Sequence, residues 1–243
     1  MRLLLVLACL FLLNCTDNKT APENAEKPKT EIESTTAVPA DSIKDEPAAI
    51  AQEKPLPPDF DTTIWEEVVR LDPSILLDLR YATENNFVDE KMYDCGRCFL
   101  RPDVARAVVE AHRFLQTKGY GFKMYDCYRP RPIQWKLWNK VPDPRYVADP
   151  RKGSMHNRGA AVDLTIVDSL GNELDMGTDF DYFGEEAYHS YNDHSDEIAN
   201  NRALLLETMK KYNFRSTRTE WWHYSYKPKK YGLADWLWAC KGS

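Results

Sequence analysis

Nowhere in its 243 residues does this sequence stay apolar for the roughly 20 positions that a membrane-crossing helix needs. The longest such run, residues 3–13, is little more than half that length. Basic charge is not in excess either: 32 Lys and Arg stand against 38 Asp and Glu, a net charge of −6. That balance argues against a broad nucleic-acid-binding surface, which needs a basic stripe. No segment repeats at a fixed period. Aromatic residues are missing altogether from residues 16–58, a stretch that holds seven of the fifteen prolines. Histidine is scarce throughout, with five in all.

What is present divides the chain into three parts. Met1-Arg2, the apolar run and Asn14-Cys15 read as an export signal over residues 1–15. Leu12-Leu13-Asn14-Cys15 resembles a bacterial lipoprotein cleavage box. Cys15 is then the expected lipidation site, although Asn14 replaces the usual small residue, and a plain secretory signal or uncleaved anchor fits the same run. Residues 16–58, rich in Glu, Lys, Thr, Ala and Pro, cannot bury enough apolar surface to offset their ordering entropy and are expected to be a disordered tether. As a flexible coil such a tether would reach on the order of 35–40 Å. Residues 59–243 form the expected folded domain. The whole is expected to be an exported lipoprotein, periplasmic or at the cell surface, touching membrane only through its lipid, with oligomeric state left open.

Within the folded part, Pro102 at a first-turn position opens an expected helix to about Lys118. Val104, Ala107, Val108, Ala111, Phe114 and Leu115 recur at helical spacing on its core face, and Gly119 stops it. A second long helix is expected over residues 196–212, with Ile198, Leu205, Met209 and Tyr212 on one face, a short helix or turn over 65–69 and another helix over 132–138. Strands are expected over 76–81, 122–128, 160–167 and 221–226. Helices first and strands interleaved after them predict an α+β domain with a central antiparallel sheet backed by helices. Four cysteines remain there, Cys95, Cys98, Cys127 and Cys240. In an exported domain they suggest disulfides with three possible connectivities. Cys95-Gly96-Arg97-Cys98 alone could also be half of a zinc knuckle or a redox pair.

Two histidines sit in dense polar surroundings. Ser154-Met155-His156-Asn157-Arg158-Gly159-Ala160-Ala161-Val162-Asp163 places a His in a loop and an Asp among β-formers. Such an Asp either faces solvent or, if buried, needs a partner or a metal, because a lone buried carboxylate costs several kcal/mol. Glu220-Trp221-Trp222-His223 sets a carboxylate three residues before an imidazole. On an ideal strand the two would point to opposite faces, so they serve one site only if Glu220 precedes the strand or a bulge intervenes. Two His and one Asp leave an open position on zinc, as a catalytic site requires, with Glu220 as the base. Arg129, at a strand end beside Pro130, suits an oxyanion stabiliser or carboxylate clamp.

Together these segments resemble the D-alanyl-D-alanine dipeptidases, the vancomycin-resistance branch of the zinc D-Ala peptidases. The likeness runs from about residue 76 to 226. It includes Leu79-Arg80-Tyr81-Ala82-Thr83, Tyr125-Asp126-Cys127-Tyr128-Arg129-Pro130, the stretch from Ser154 to Asp163, Leu174-Asp175-Met176-Gly177 with Phe180-Asp181, and Glu220-Trp221-Trp222-His223-Tyr224. The resemblance implies one zinc on His156, Asp163 and His223, Glu220 as base and Arg129 at the oxyanion. It also implies Tyr81 and Asp181 at the amino group of a small dipeptide, and Ser154 near its carboxylate. Relatives that cut longer stem peptides share the metal motif. A catalytically silent wall-fragment binder is the rival from another class.

Overall fold

The computed structural model describes residues 57–240. The expected signal, the Cys15 site and the tether up to residue 56 lie outside the described residues.

Five strands form the central sheet: β2 (Leu76–Leu77), β4 (Gly121–Asp126), β5 (Ala161–Val167), β6 (Phe214–Ser216) and β7 (His223–Tyr226). Their spatial order is β2-β4-β5-β7-β6. Every pairing is antiparallel except β2 with β4, so the expected antiparallel sheet carries one parallel edge. A small separate pair joins β1 (Glu66–Glu67) to β3 (Phe99–Leu100). Residues 65–69, expected as a helix or turn, thus split between β1 and α1 (Val68–Leu71).

All seven residues of β5 are buried, as befits the central strand of a sheet covered on both faces. Val162, Leu164 and Ile166 join a core with Val104, Val108 and Leu115 of α2 (Pro102–Gln116) and Leu205 and Met209 of α4 (Asp196–Lys211). Phe114, Ile198 and Tyr212 reach only partial burial; Phe114 and Tyr212 meet ring to ring at 6.1 Å. α2 has Pro102 in its first turn and Asp103 beside it, both favourable at a helix N-terminus. Ser195 caps α4 by accepting from the Ile198 N–H at 3.3 Å. α3 (Arg131–Lys140) fills the place of the expected helix at 132–138.

Two expectations need correction. The strand over 76–81 stops at Leu77, and residues Arg80–Ala82 turn as a 3-10 helix. The Asn86 side chain explains the turn: it donates to the carbonyls of Arg80, Thr83 and Glu90, competing with any ladder partner. Strand β6 was not expected, because three residues carry too little alternation to register.

The cysteines pair as Cys95–Cys240 and Cys98–Cys127. Cys95 and Cys98 therefore bond to distant partners, which removes the knuckle and redox-pair readings of Cys-Gly-Arg-Cys. Around these bonds Trp65, Phe99 and Tyr128 form a second aromatic core, closed by Trp236 and Trp238 from the C-terminal segment. Tyr128 donates its hydroxyl to the Trp236 carbonyl at 2.9 Å, and Arg97 forms paired bonds to both Glu67 and Asp59.

Candidate active site

Register across three strands builds the floor of the site. Asp126 on β4 lies opposite Asp163 on β5, and Asp163 lies opposite His223 on β7. A register shift between Met124 and Asp126 aligns the first pair. Three polar side chains thus stand in one cross-strand row on one face. Glu220 sits in irregular chain just before β7, outside the strand's alternation. It therefore shares the site with His223 without a bulge, one of the two routes expected.

His156 comes from the 3-10 turn His156–Arg158 that leads into β5. Ser154 and Asn157 fix that turn reciprocally: the Ser154 N–H donates to Asn157 Oδ1 at 2.7 Å, and the Asn157 N–H donates to Ser154 Oγ at 3.2 Å. Gly159 ends the turn at φ +66°, and a Cβ there would stand 2.5 Å from the Trp65 ring, so only glycine fits. The His156 Nδ1–H donates to the Cys127 carbonyl at 2.7 Å, which turns Nε2 toward the row. Cys127 is one of the disulfide residues, so a cross-linked backbone orients the ring.

The result is a convergence of donors. His156 Nε2 lies 3.1 Å from His223 Nδ1 and 3.3 Å from an Asp163 oxygen; His223 Nδ1 lies 2.9 Å from the other Asp163 oxygen. The three ligand atoms all fall within 4.8 Å of one another. Burial pushes the Asp163 carboxyl upward, but His156 and His223 outweigh it and hold Asp163 well below the usual carboxylate range. An ionised carboxylate and two imidazole nitrogens aimed at one point suit a cation. Three such ligands with a position left open match catalytic rather than structural zinc.

Around this centre lie the remaining expected residues. Glu220 Oε2 is 3.9 Å from His223 Nδ1. Burial raises the Glu220 pKa although 37 % of the side chain stays open. Arg129 is buried with one Nη 4.0 Å from Asp163. Its guanidinium carbon lies 4.7 Å from the Tyr81 ring centroid. The Tyr81 hydroxyl donates to Asp181 at 2.8 Å. Asp181 takes φ +59°, a left-handed conformation that Asp tolerates better than most residues. Burial, with the Asp163 charge nearby, raises the Asp181 carboxyl well above its ordinary range. Ser154 has hydrogen-bond partners only within its own turn among the described residues.

Sequence reasoning gave no role to Asp126, Tyr93 or Gln134. Asp126 is fully buried, binds Arg129 at 2.7 and 2.9 Å, and accepts from the Tyr93 hydroxyl at 3.0 Å. Gln134 accepts from the other arm of Arg129 at 3.0 Å. The available hint was Asp126 itself, an acid inside a strand three residues before an arginine.

A profile of the Peptidase_M15 family, described as D-ala-D-ala dipeptidase, matches residues 64–235. The chain belongs to this family. This M15 peptidase is 38 % identical over 165 residues to a D-alanyl-D-alanine dipeptidase of Escherichia coli, covering 68 % of this chain and 85 % of that one. It is 28 % identical over 190 residues to one of Enterococcus faecium, covering 70 % and 93 %. A solved vancomycin-resistance D,D-pentapeptidase in complex with Zn(II) overlaps loosely, at TM-score 0.35 and 15 % identity over 53 % of this chain and 73 % of that one. The M15 peptidase is a metal-dependent hydrolase, and the His156, Asp163 and His223 donor set fits zinc as its cofactor.

Proposed function

We propose that this peptidase hydrolyses D-Ala-D-Ala to two D-alanines. The observation that carries the proposal is the convergence of His156 Nε2, Asp163 and His223 Nδ1, with Glu220 beside His223 and Arg129 beside Asp163. His156, Asp163 and His223 would hold the zinc, which supplies Lewis acidity toward the scissile carbonyl and acidifies the attacking water. Glu220 takes the proton of that water and hands it to the leaving amine, a task suited to a carboxylate whose pKa burial has raised. Arg129 stabilises the developing oxyanion, and Asp126 and Gln134 fix its orientation before substrate arrives. Asp181, with Tyr81 beside it, takes the free amino group. Ser154 lies toward the substrate carboxylate.

The enzyme is further proposed to be exported and anchored through Cys15, with residues 16–58 as tether. An exported dipeptidase meets dipeptides released from the wall, not a cytoplasmic precursor pool, which favours cell-wall dipeptide turnover as its role. Dipeptidase activity confined to the cytoplasmic fraction of producing cells would refute that placement.

The decisive experiment follows free D-alanine released from D-Ala-D-Ala by the zinc-loaded chain, beside Glu220→Ala and a D-Ala-ended pentapeptide. Rapid release from the dipeptide is expected, with a loss of roughly 10²–10⁴-fold in Glu220→Ala while zinc is retained. Cutting of the pentapeptide alone would move the substrate to intact stem peptides. Retained activity in Glu220→Ala would place the base elsewhere.

A further inference from the structure

Glu220 also lines a cavity of about 370 Å³. Four aromatic rings line it too: Tyr146 from the loop after α3, Tyr182 and Phe183 from the segment following Asp181, and Tyr188. Tyr146 and Phe183 close one side of it, their ring centroids 4.5 Å apart. Thr219 and two arginines complete the lining, and the arginines differ. Arg145 is neutralised by Asp143, with contacts at 3.0 Å and shorter. Arg218 has no carboxylate partner among the described residues; its guanidinium lies 5.3 Å over the Tyr188 ring, and its backbone carbonyl accepts from the His189 N–H.

The cavity's place relative to the chemistry follows from the role of Glu220, and so rests on the dipeptidase reading above. A group that protonates the leaving nitrogen must stand within hydrogen-bond reach of it. Whatever is attached to that nitrogen therefore extends into space that Glu220 borders. The amino-group acceptors Tyr81 and Asp181 pair with each other and are not part of the cavity lining. A leaving D-alanine offers only a methyl and a carboxylate, which fill a small part of about 370 Å³. The walls suit something longer: flat apolar sides, and one cation, Arg218, with no carboxylate partner among the described residues.

We propose that this cavity is a subsite for the side chain of the leaving residue, and that Arg218 makes it selective for acidic ones. The substrate class widens accordingly, from D-Ala-D-Ala to dipeptides with D-alanine first and a carboxylate-bearing residue second. Arg218 is a specificity residue here and takes no part in bond cleavage.

The test compares kcat and KM for D-Ala-D-Glu and D-Ala-D-Gln, which match in size and differ in side-chain charge, with D-Ala-D-Ala beside them. In the wild-type zinc enzyme D-Ala-D-Glu should be favoured over D-Ala-D-Gln by about fivefold in kcat/KM, through KM, the scale of one solvent-accessible ion pair. In Arg218→Gln the ratio should fall to near one, whereas Arg145→Gln should keep most of it. A ratio near one in the wild type, with D-Ala-D-Ala still cleaved, would overturn the subsite alone. A preference that survives Arg218→Gln, or that only Arg145→Gln abolishes, would overturn the assignment to Arg218. Hydrolysis of none of the three would remove the dipeptidase reading and the subsite with it.

Discussion

The floor of the site and its rim are built by opposite means. The floor places Asp126, Asp163 and His223 by strand register, and the His156 ring by a carbonyl within a disulfide-linked segment. Asp126, Asp163 and His156 are buried and His223 half-buried, each bonded to others of the set, so each removal strands a partner. The rim places Tyr146, Tyr182 and Phe183 on loops at 41 %, 43 % and 44 % exposure, with Arg218 exposed beside them. Rim side chains touch one another and solvent, and their removal leaves no buried charge behind. The difference teaches where each part can change: the buried row is locked in by the sheet, while the rim loops can vary at little cost to stability.

The largest effect expected of that comparison is Asp126→Ala. It leaves the Arg129 guanidinium buried without its anion, a class of change that destabilises by about 3–5 kcal/mol. The urea midpoint of the metal-free protein should fall accordingly, separating this loss from any change in zinc binding. A change below about 1 kcal/mol would mean that the floor relaxes around Arg129 as freely as the rim would.

Next comes the joint replacement Cys98→Ser/Cys127→Ser. Closing a loop across a sequence separation of 29 contributes on the order of 3–4 kcal/mol by chain entropy. A lowered Tm is the expected readout. Because the Cys127 carbonyl orients His156, zinc should also dissociate more readily, which competition with a chelator would measure. A lowered Tm with unchanged zinc affinity would show that the sheet alone holds the ring.

The same division decides how much the sequence could tell. The grouping of His156, Asp163, His223 and Glu220 was legible because Ser154 to Asp163 and Glu220 to His223 are contiguous stretches with polar residues at fixed spacing. Helices α2 and α4 and strand β5 were legible from local periodicity. The contribution of Asp126 was not, because its partners arrive from Tyr93, Arg129 and the opposite strand, and no local pattern marks a side chain as a buried counter-ion. The disulfide pairing was equally hidden, since Cys95 finds Cys240 across 145 residues. Nor could spacing show that Tyr146, Phe183 and Arg218 line one cavity, because they come from three separate loops.

A smaller effect joins the two regions through His189. Its ring packs 6.4 Å from Tyr224 of the sheet, and its N–H holds the Arg218 carbonyl of the rim. Burial pushes the imidazole down to about 4, against about 6.5 in an unfolded chain. Between those values the unfolded chain takes up a proton that the folded one refuses. Stability is therefore intact above about pH 6.5 and falls as pH drops toward about 4. Its Nε2 is buried without a hydrogen-bond partner among the described residues, so the loss should be on the order of 1–3 kcal/mol. His189→Phe should flatten this part of the stability profile relative to wild type. Parallel profiles would show that the ring takes up its proton without loosening the fold.

The smallest effect is expected at the rim itself, and it bears most directly on the contrast. Tyr146 and Phe183 meet across two loops at 4.5 Å, and an aromatic pair contributes about 0.5–1.5 kcal/mol beyond the area it buries, least where solvent reaches both rings. Tyr146→Ala and Phe183→Ala should each lower stability by less than about 1 kcal/mol. A double-mutant cycle should return a coupling of a few tenths to about 1 kcal/mol. If either loss matched that of Asp126→Ala, the rim would be part of the fold's foundation, and its loops could not vary freely. If the coupling were near zero while KM for dipeptides with long leaving side chains rose, the two rings would be meeting the substrate rather than each other. That outcome would make the rim a binding surface held in place by the floor beneath it.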